Sequence, residues 1–432
     1  MGLWDGISIS VGAAIGAGIL RTPGTVANEL GIPELILFAW LLGGLIALVD
    51  ALVLAELSTL FPFAGGWYVY IEKAFGRLPA FLYGWAATLI IYPASVAALG
   101  VVFGEYLGEL AGFNPASARV SAVVVIAVLA ILNYLGLKEG KIAQRILTGS
   151  KVLFLLILSA AVVIFGARRA GASAIETQHS SLGLMAFAVA LQSILWTYAG
   201  YGDVVTMSEE VKASSRVLPR SLVRSTVLVI SIYLILNFSL LRVLGNQGVA
   251  SSVLPARDAA VEAFSSPGKA AVELIALFII LGGLNSQLLT GPRVVFALSR
   301  AGLAFRQLSN VNEGGTPNAA LLLVSALAIG YAVSGTFESL LTLTIFVIWL
   351  SGLLVTLSLF VFRKRFPDLE RPFKIPAYPF LPALLVLFAL VFLALTFHSR
   401  PRETVSGIVF IAIGVPSYFI WNRVRRRARA GG

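Results

Sequence analysis

Apolar residues run along this chain in long blocks that alternate with short polar, glycine- and proline-containing breaks. Twelve blocks reach the length of a bilayer-crossing helix, near 5–29, 33–60, 78–111, 119–136, 145–166, 184–209, 219–243, 269–300, 318–334, 338–362, 379–397 and 404–422. About 20 apolar residues cross the hydrocarbon core as a helix. The breaks carry turn-forming residues, among them Gly65-Gly66, Asn114-Pro115, Ser266-Pro267-Gly268 and Gly314-Gly315-Thr316-Pro317. The pattern predicts an all-α integral membrane protein of about twelve transmembrane helices.

Composition agrees. Of 432 residues, 58% are hydrophobic and 12% charged, where a soluble domain carries about 25% charged residues. Lipid is the solvent that tolerates so much apolar surface. There is no cysteine, and the two histidines, His179 and His398, are far apart in sequence. Thiolate chemistry is excluded, and no metal or other cofactor is expected. No Gly-x4-Gly-Lys-Ser/Thr run is present, so ATP is not the expected energy source. The start lacks a basic n-region and reads as the first span rather than a cleaved signal.

The net charge of +11 matters through its placement. With both termini inside, twenty-two Lys and Arg residues fall in cytoplasmic loops and flanks, including Lys73, Lys138, Lys212, Arg363 and Arg371. Eight fall on the other side, including Arg119, Arg168, Arg169 and Arg257. This bias predicts cytoplasmic termini. The tail Arg423 to Arg429 reads as a topology anchor on anionic headgroups, not as a nucleic-acid site.

Two blocks contain helix-breaking clusters, Gly12-Ala-Ala-Ile-Gly16-Ala17-Gly18 in the first and Trp196-Thr-Tyr198-Ala199-Gly200-Tyr201-Gly202 in the sixth. Glycine costs a helix interior roughly 1 kcal/mol relative to alanine. Unwound backbone at membrane depth survives only where it lines a protein cavity. A pair of interrupted spans, one in each half, points to a transport site near the midplane. For the first span, a Gly12/Gly16 packing face remains an equal alternative. Lys151, Asp50 and Asp203 are the ionisable groups placed deep in spans. Each is a candidate for function, with snorkelling the alternative for Lys151 and an ion pair or a protonated carboxyl the alternatives for Asp50.

Several ordered segments carry a family resemblance. Gly12 to Leu20 resembles the first-helix signature of the amino acid–polyamine–organocation superfamily. Ala55-Glu56-Leu57 through Pro62, with Gly65-Gly66-Trp67 to Tyr70, is similar to its second helix and following re-entrant segment. Ser208-Glu209-Glu210, Gly283 to Arg293, Leu298 to Gly302 and Arg371-Pro372-Phe373-Lys374 match further elements. The pattern resembles most the L-type amino acid transporter branch and its bacterial relatives.

That resemblance implies a 5+5 inverted repeat with helices 1 and 6 broken, plus two peripheral helices. The core would occupy 1–366, the peripheral helices 367–422 and a basic tail 423–432. It implies an amino acid held between the breaks, its carboxylate on the amides of Gly16, Ala17 and Gly18. Its ammonium would meet the carbonyls of Ala13, Ala14, Trp196, Thr197 and Ala199. Trp196 matches an aromatic gate, and Gly200 with Ala199 leaves side-chain room. Lys151 matches a lysine that stands in for sodium in sodium-independent members, with the unwound first helix and Asn285 and Ser286 as neighbours. Ala17 departs from the serine many members carry. The cysteine that joins animal members to a glycoprotein heavy chain is absent, so no disulfide-linked partner is expected.

The expected function is secondary active transport of amino acids across the plasma membrane by alternating access, as an exchanger or coupled to protons. A polyamine or organic-cation permease and a non-transporting amino acid sensor are the alternatives. An enzyme is not expected, because no nucleophile–base set is present.

Overall fold

The computed structural model describes residues 1–135, 140–166, 183–264, 266–312, 315–335 and 337–430. Among them every regular element is a helix. Nine helices among the described residues are long and apolar enough to cross a membrane, and the bent pair Leu3–Ala14 and Ala17–Leu30 is a tenth. Two shorter apolar helices, Thr148–Ile164 and Asn318–Ser334, bring the number to the expected twelve. Lys138, Arg168, Arg169 and His179 lie outside the described residues.

The first span breaks where the glycines are. Its axis turns by 43° between Ala14 and Ala17, with Ile15 extended (φ −78°, ψ 93°). Of the two open readings, unwinding is the one observed. The sixth span ends its α-helical half at Tyr198 and resumes as a 3₁₀ segment, Tyr201–Glu210. Gly200 makes the turn with φ +107°, in the left-handed region where a Cβ is penalised.

The two breaks cross at one depth, running in opposite directions. A Cβ on Gly18, just past the first break, would lie 2.9 Å from the Thr197 hydroxyl, just before the second. A Cβ on Gly200, just past the second break, would lie 2.7 Å from the Ala13 carbonyl carbon, just before the first. Each half-helix of one span therefore packs on the opposite half of the other, with glycine at both contacts. Antiparallel crossing of spans five apart is what an inverted five-helix repeat requires.

The third span, Arg77–Ala111, carries a π-helical turn at Ala87–Ile91. Pro93 has no N–H to give the Leu89 carbonyl. The Tyr331 hydroxyl from the ninth span donates to it instead, at 2.9 Å. A backbone acceptor that lipid could not satisfy is thus paired inside the protein.

Both termini lie on one face. The Met1 ammonium donates to the Glu210 carbonyl at 2.6 Å, and Trp421 donates to the Gly302 carbonyl at 3.0 Å. On the same face Glu56 is fully buried and faces Arg363 and Arg371. Arg257–Glu109 and Arg21–Glu105 are ion pairs at the opposite face. The fourth span turns a stripe of Val120, Val124, Val128 and Ile131 outward, all well exposed. An exposed apolar stripe at helical spacing is the surface that lipid covers.

Two short helices were not among the predicted spans. Trp67–Phe75 follows the Gly65-Gly66 turn, and Pro255–Phe264 lies between the seventh and eighth spans.

Candidate functional site

A cavity opens where the two breaks meet. It is lined by Ala13, Ala14, Gly16 and Gly18 from the first span and by Trp196, Thr197, Ala199 and Gly200 from the sixth. Tyr83, Tyr92 and Ser95 of the third span, Asp203 of the sixth, Gln287 of the eighth and Ile348 of the tenth are also part of the wall. Eight of the nine residues expected at a substrate site therefore share one cavity. Ala17 is fully buried and stays behind the lining.

Broken backbone gives this cavity its polarity. The helix Ala17–Leu30 starts here, with Gly16 as a cap that offers no side chain. Its first amides have no intrahelical partner, and the macrodipole favours negative charge beside them. The helices Leu3–Ala14 and Leu184–Tyr198 both end here, presenting carbonyls and the negative pole of each dipole. A zwitterion fits this arrangement: its anionic end is favoured at one helix start, its cationic end at two helix ends.

Side chains hold the unwound backbone in place. The Tyr233 hydroxyl of the seventh span donates toward the Ala14 carbonyl at 2.8 Å and stands 3.1 Å from that of Thr197. It ties the end of one half-helix to the end of the other. The Thr197 hydroxyl donates to the Ser193 carbonyl at 2.8 Å and lies 2.9 Å from the Thr22 hydroxyl.

Lys151 is buried behind the first break. Its ammonium donates to the carbonyls of Gly12 at 3.3 Å and Ile15 at 3.2 Å. A cation at a helix C-terminus is favoured by the dipole and pairs carbonyls the break has freed. The lysine stem passes over Gly282, where a Cβ would lie 2.6 Å from the ammonium. The eighth-span neighbour is thus Gly282, one turn before Asn285 and Ser286. Asn285 accepts from Asn133 at 2.8 Å, and the Ser286 carbonyl accepts from Thr290 at 3.0 Å.

Asp50 accepts a 2.6 Å hydrogen bond from the Tyr201 hydroxyl, just past the second break. No basic side chain pairs with it among the described residues.

A family model described as amino acid permease matches residues 1–416. The chain belongs to the amino acid permease family. The serine/threonine exchanger SteT of Bacillus subtilis is 30% identical over 97% of this chain and 96% of its own length. The b(0,+)-type amino acid transporter 1 of Homo sapiens is 30% identical over 98% of this chain and 87% of its own. The human cystine/glutamate transporter is 29% identical over 98% of this chain and 86% of its own. These similarities favour amino acids over a polyamine or organic-cation cargo and transport over sensing.

Within this permease, sequence reasoning missed Tyr233 and Gly282. Tyr233 is one aromatic in an apolar span, and its partners are carbonyls exposed only by two distant breaks. Gly282-Gly283 resembles an ordinary packing pair, and its fit to Lys151 needs the fold.

Proposed function

We propose that this permease is a sodium-independent amino acid exchanger that works by alternating access. The observation that carries this reading is the meeting of two oppositely directed broken helices at one cavity. One helix start there can receive a carboxylate through the amides of Gly16, Ala17 and Gly18. Two helix ends can receive an α-ammonium through the carbonyls of Ala13, Ala14, Trp196, Thr197 and Ala199. Because Tyr233 already donates to the Ala14 carbonyl, the ammonium shares that carbonyl through its second lone pair. Trp196 stands at the cavity wall as the gate, and Ala199 with Gly200 leaves space for the substrate side chain.

Lys151 supplies a fixed positive charge where a sodium ion would otherwise steady the break. With that charge covalently attached, a sodium gradient has no site through which to act. Exchange is supported by the similarity to SteT, a serine/threonine exchanger. Alternating access follows if the half-helices Leu3–Ala14 and Tyr201–Glu210 move as a unit against the rest, since Gly200 packs directly on Ala13. The protein would act as a single chain in the plasma membrane with cytoplasmic termini, without a disulfide-linked heavy chain and without enzymatic activity. Residues 1–366 would form the transporting core, 367–422 its peripheral helices and 423–432 the basic tail.

Purified protein in liposomes tests this reading. Uptake of labelled amino acids is expected only when amino acid is present inside, with no response to an imposed sodium gradient. Uptake into empty liposomes driven by a pH gradient would replace exchange with proton symport. Sodium-driven uptake would sink the assigned role of Lys151.

A further inference from the structure

We infer that Asp203 selects amino acids with a cationic side chain, such as lysine, ornithine or arginine. This rests on the amino acid site proposed above and adds the substrate class to it.

Asp203 lies three residues past Gly200, on the 3₁₀ segment Tyr201–Glu210, and lines the same cavity as the two breaks. Its Oδ2 receives only two long contacts, from Gln287 Nε2 and Thr290 Oγ1, each at 3.4 Å. Both exceed the 2.7–3.2 Å of ordinary N–H···O bonds and the still shorter O–H···O ones. Its Oδ1 accepts no hydrogen bond, and no cation pairs with it among the described residues.

Cations on nearby elements are committed elsewhere. Arg293, one turn beyond Thr290, faces Glu210 at 3.3 Å and donates to the Leu289 carbonyl. Lys151 serves the Gly12 and Ile15 carbonyls. Two other buried carboxylates, by contrast, have cationic partners. Glu56 has two arginines and the Ile375 amide. Asp5 has Arg145 and the Gly2 amide.

Among the described lining residues, Asp203 is the only carboxylate, and no lysine, arginine or histidine joins it. A substrate's α-carboxylate and α-ammonium cancel, so the cavity's own charge is decided by Asp203. An unpaired carboxylate at membrane depth is costly. A ligand ammonium or guanidinium supplies the missing donors through charge-assisted hydrogen bonds. Tyr83, Tyr92 and Trp67 line the same cavity and suit the aliphatic stem and cationic head of such a side chain. A carboxylate side chain would meet like charge, which rejects acidic amino acids.

The test compares isosteric pairs, arginine against citrulline and lysine against 2-aminoheptanoic acid, as competitors of labelled exchange in proteoliposomes. Wild-type protein is expected to prefer the cationic member of each pair at least tenfold. Asp203→Asn should lower that ratio at least tenfold, and Asp203→Glu should keep the cation preferred. The ratio measures the side chain alone, because both members carry the same α-groups. A wild-type ratio near one, with both members exchanged, overturns the role of Asp203 and leaves the amino acid site standing. An unchanged ratio in Asp203→Asn overturns it as well. Failure of folded wild-type protein to exchange any of the four while it exchanges other amino acids overturns the role of Asp203 alone, and failure to exchange or bind any amino acid overturns both readings. The wild-type ratio needs no variant, so it decides the matter even if Asp203→Asn folds poorly.

Discussion

Replacing Lys151 with alanine is expected to lower amino acid exchange at least about a hundredfold while the protein still folds. The ammonium donates to the carbonyls of Gly12 and Ile15 at the end of the first half-helix. Each buried acceptor left without a donor costs roughly 1–3 kcal/mol. Two such losses come to roughly 2–6 kcal/mol, and at about 1.4 kcal/mol per factor of ten the hundredfold figure sits toward the low end of that range. The loss falls on the break itself, where the substrate carboxylate and ammonium are proposed to bind, rather than on the helix bundle around it. Substrate affinity and exchange should therefore fall together, and the melting temperature of the ligand-free protein should drop with them while the protein remains folded. Gly282→Ala should act in the same direction, because its Cβ would lie within 2.6 Å of the ammonium. A Lys151→Ala protein that exchanges at the wild-type rate would remove the lysine from the mechanism.

Glu56→Ala is expected to act on the fold. The carboxylate is fully buried, with Arg363 Nη2 donating to Oε2 and Arg363 Nε near Oε1, both at 2.8 Å. The Ile375 amide donates to Oε2 at 2.8 Å, and Arg371 Nε lies 3.5 Å from Oε1. Arg371 also donates to the carbonyls of Phe362, Phe366, Pro367 and Leu369. The second span, the end of the tenth and the loop toward the eleventh thus converge on one carboxylate. Removing one partner of a buried ion pair costs about 3–5 kcal/mol, because the other charge stays buried. The variant should give little monodisperse protein and a clearly lower melting temperature. Replacing Glu56 and Arg363 together with leucine should recover part of that loss, since no unpaired Arg363 charge then remains. An unchanged melting temperature for Glu56→Ala would show that the cluster contributes nothing.

Spans were legible because lipid imposes a length and an apolar composition that a sequence cannot hide. Asn318–Ser334 coincides with its expected range, whereas the helical stretch Ser214–Ser251, two helices joined at a kink, runs well beyond 219–243. Its extension passes through Gly245, whose φ of +67° bends the chain where a regular helix would stop. Pro255–Phe264 went unseen because Arg257, Asp258 and Glu262 break any apolar pattern over its ten residues. The breaks were legible through clustered glycines, yet Gly12 and Gly16 alone could not separate unwinding from packing. The fold resolves this, since Gly16 caps the second half-helix and Gly18 makes the close contact. What remained out of reach were partners set by geometry. Asp50 meets a tyrosine 151 residues away, and Tyr233 meets carbonyls at Ala14 and Thr197 that only unwinding exposes.

The central claim is that an amino acid occupies the cavity between the two breaks. The chain has no cysteine, so Ser95→Cys creates a single thiol on the cavity wall. The decisive measurement is the rate at which a water-soluble thiol reagent modifies it in proteoliposomes that carry out exchange. Saturating amino acid substrate is expected to slow modification at least about tenfold, with no effect from a non-substrate such as a sugar. Equal rates with and without substrate, in a variant that still exchanges, would place the amino acid elsewhere and contradict the site.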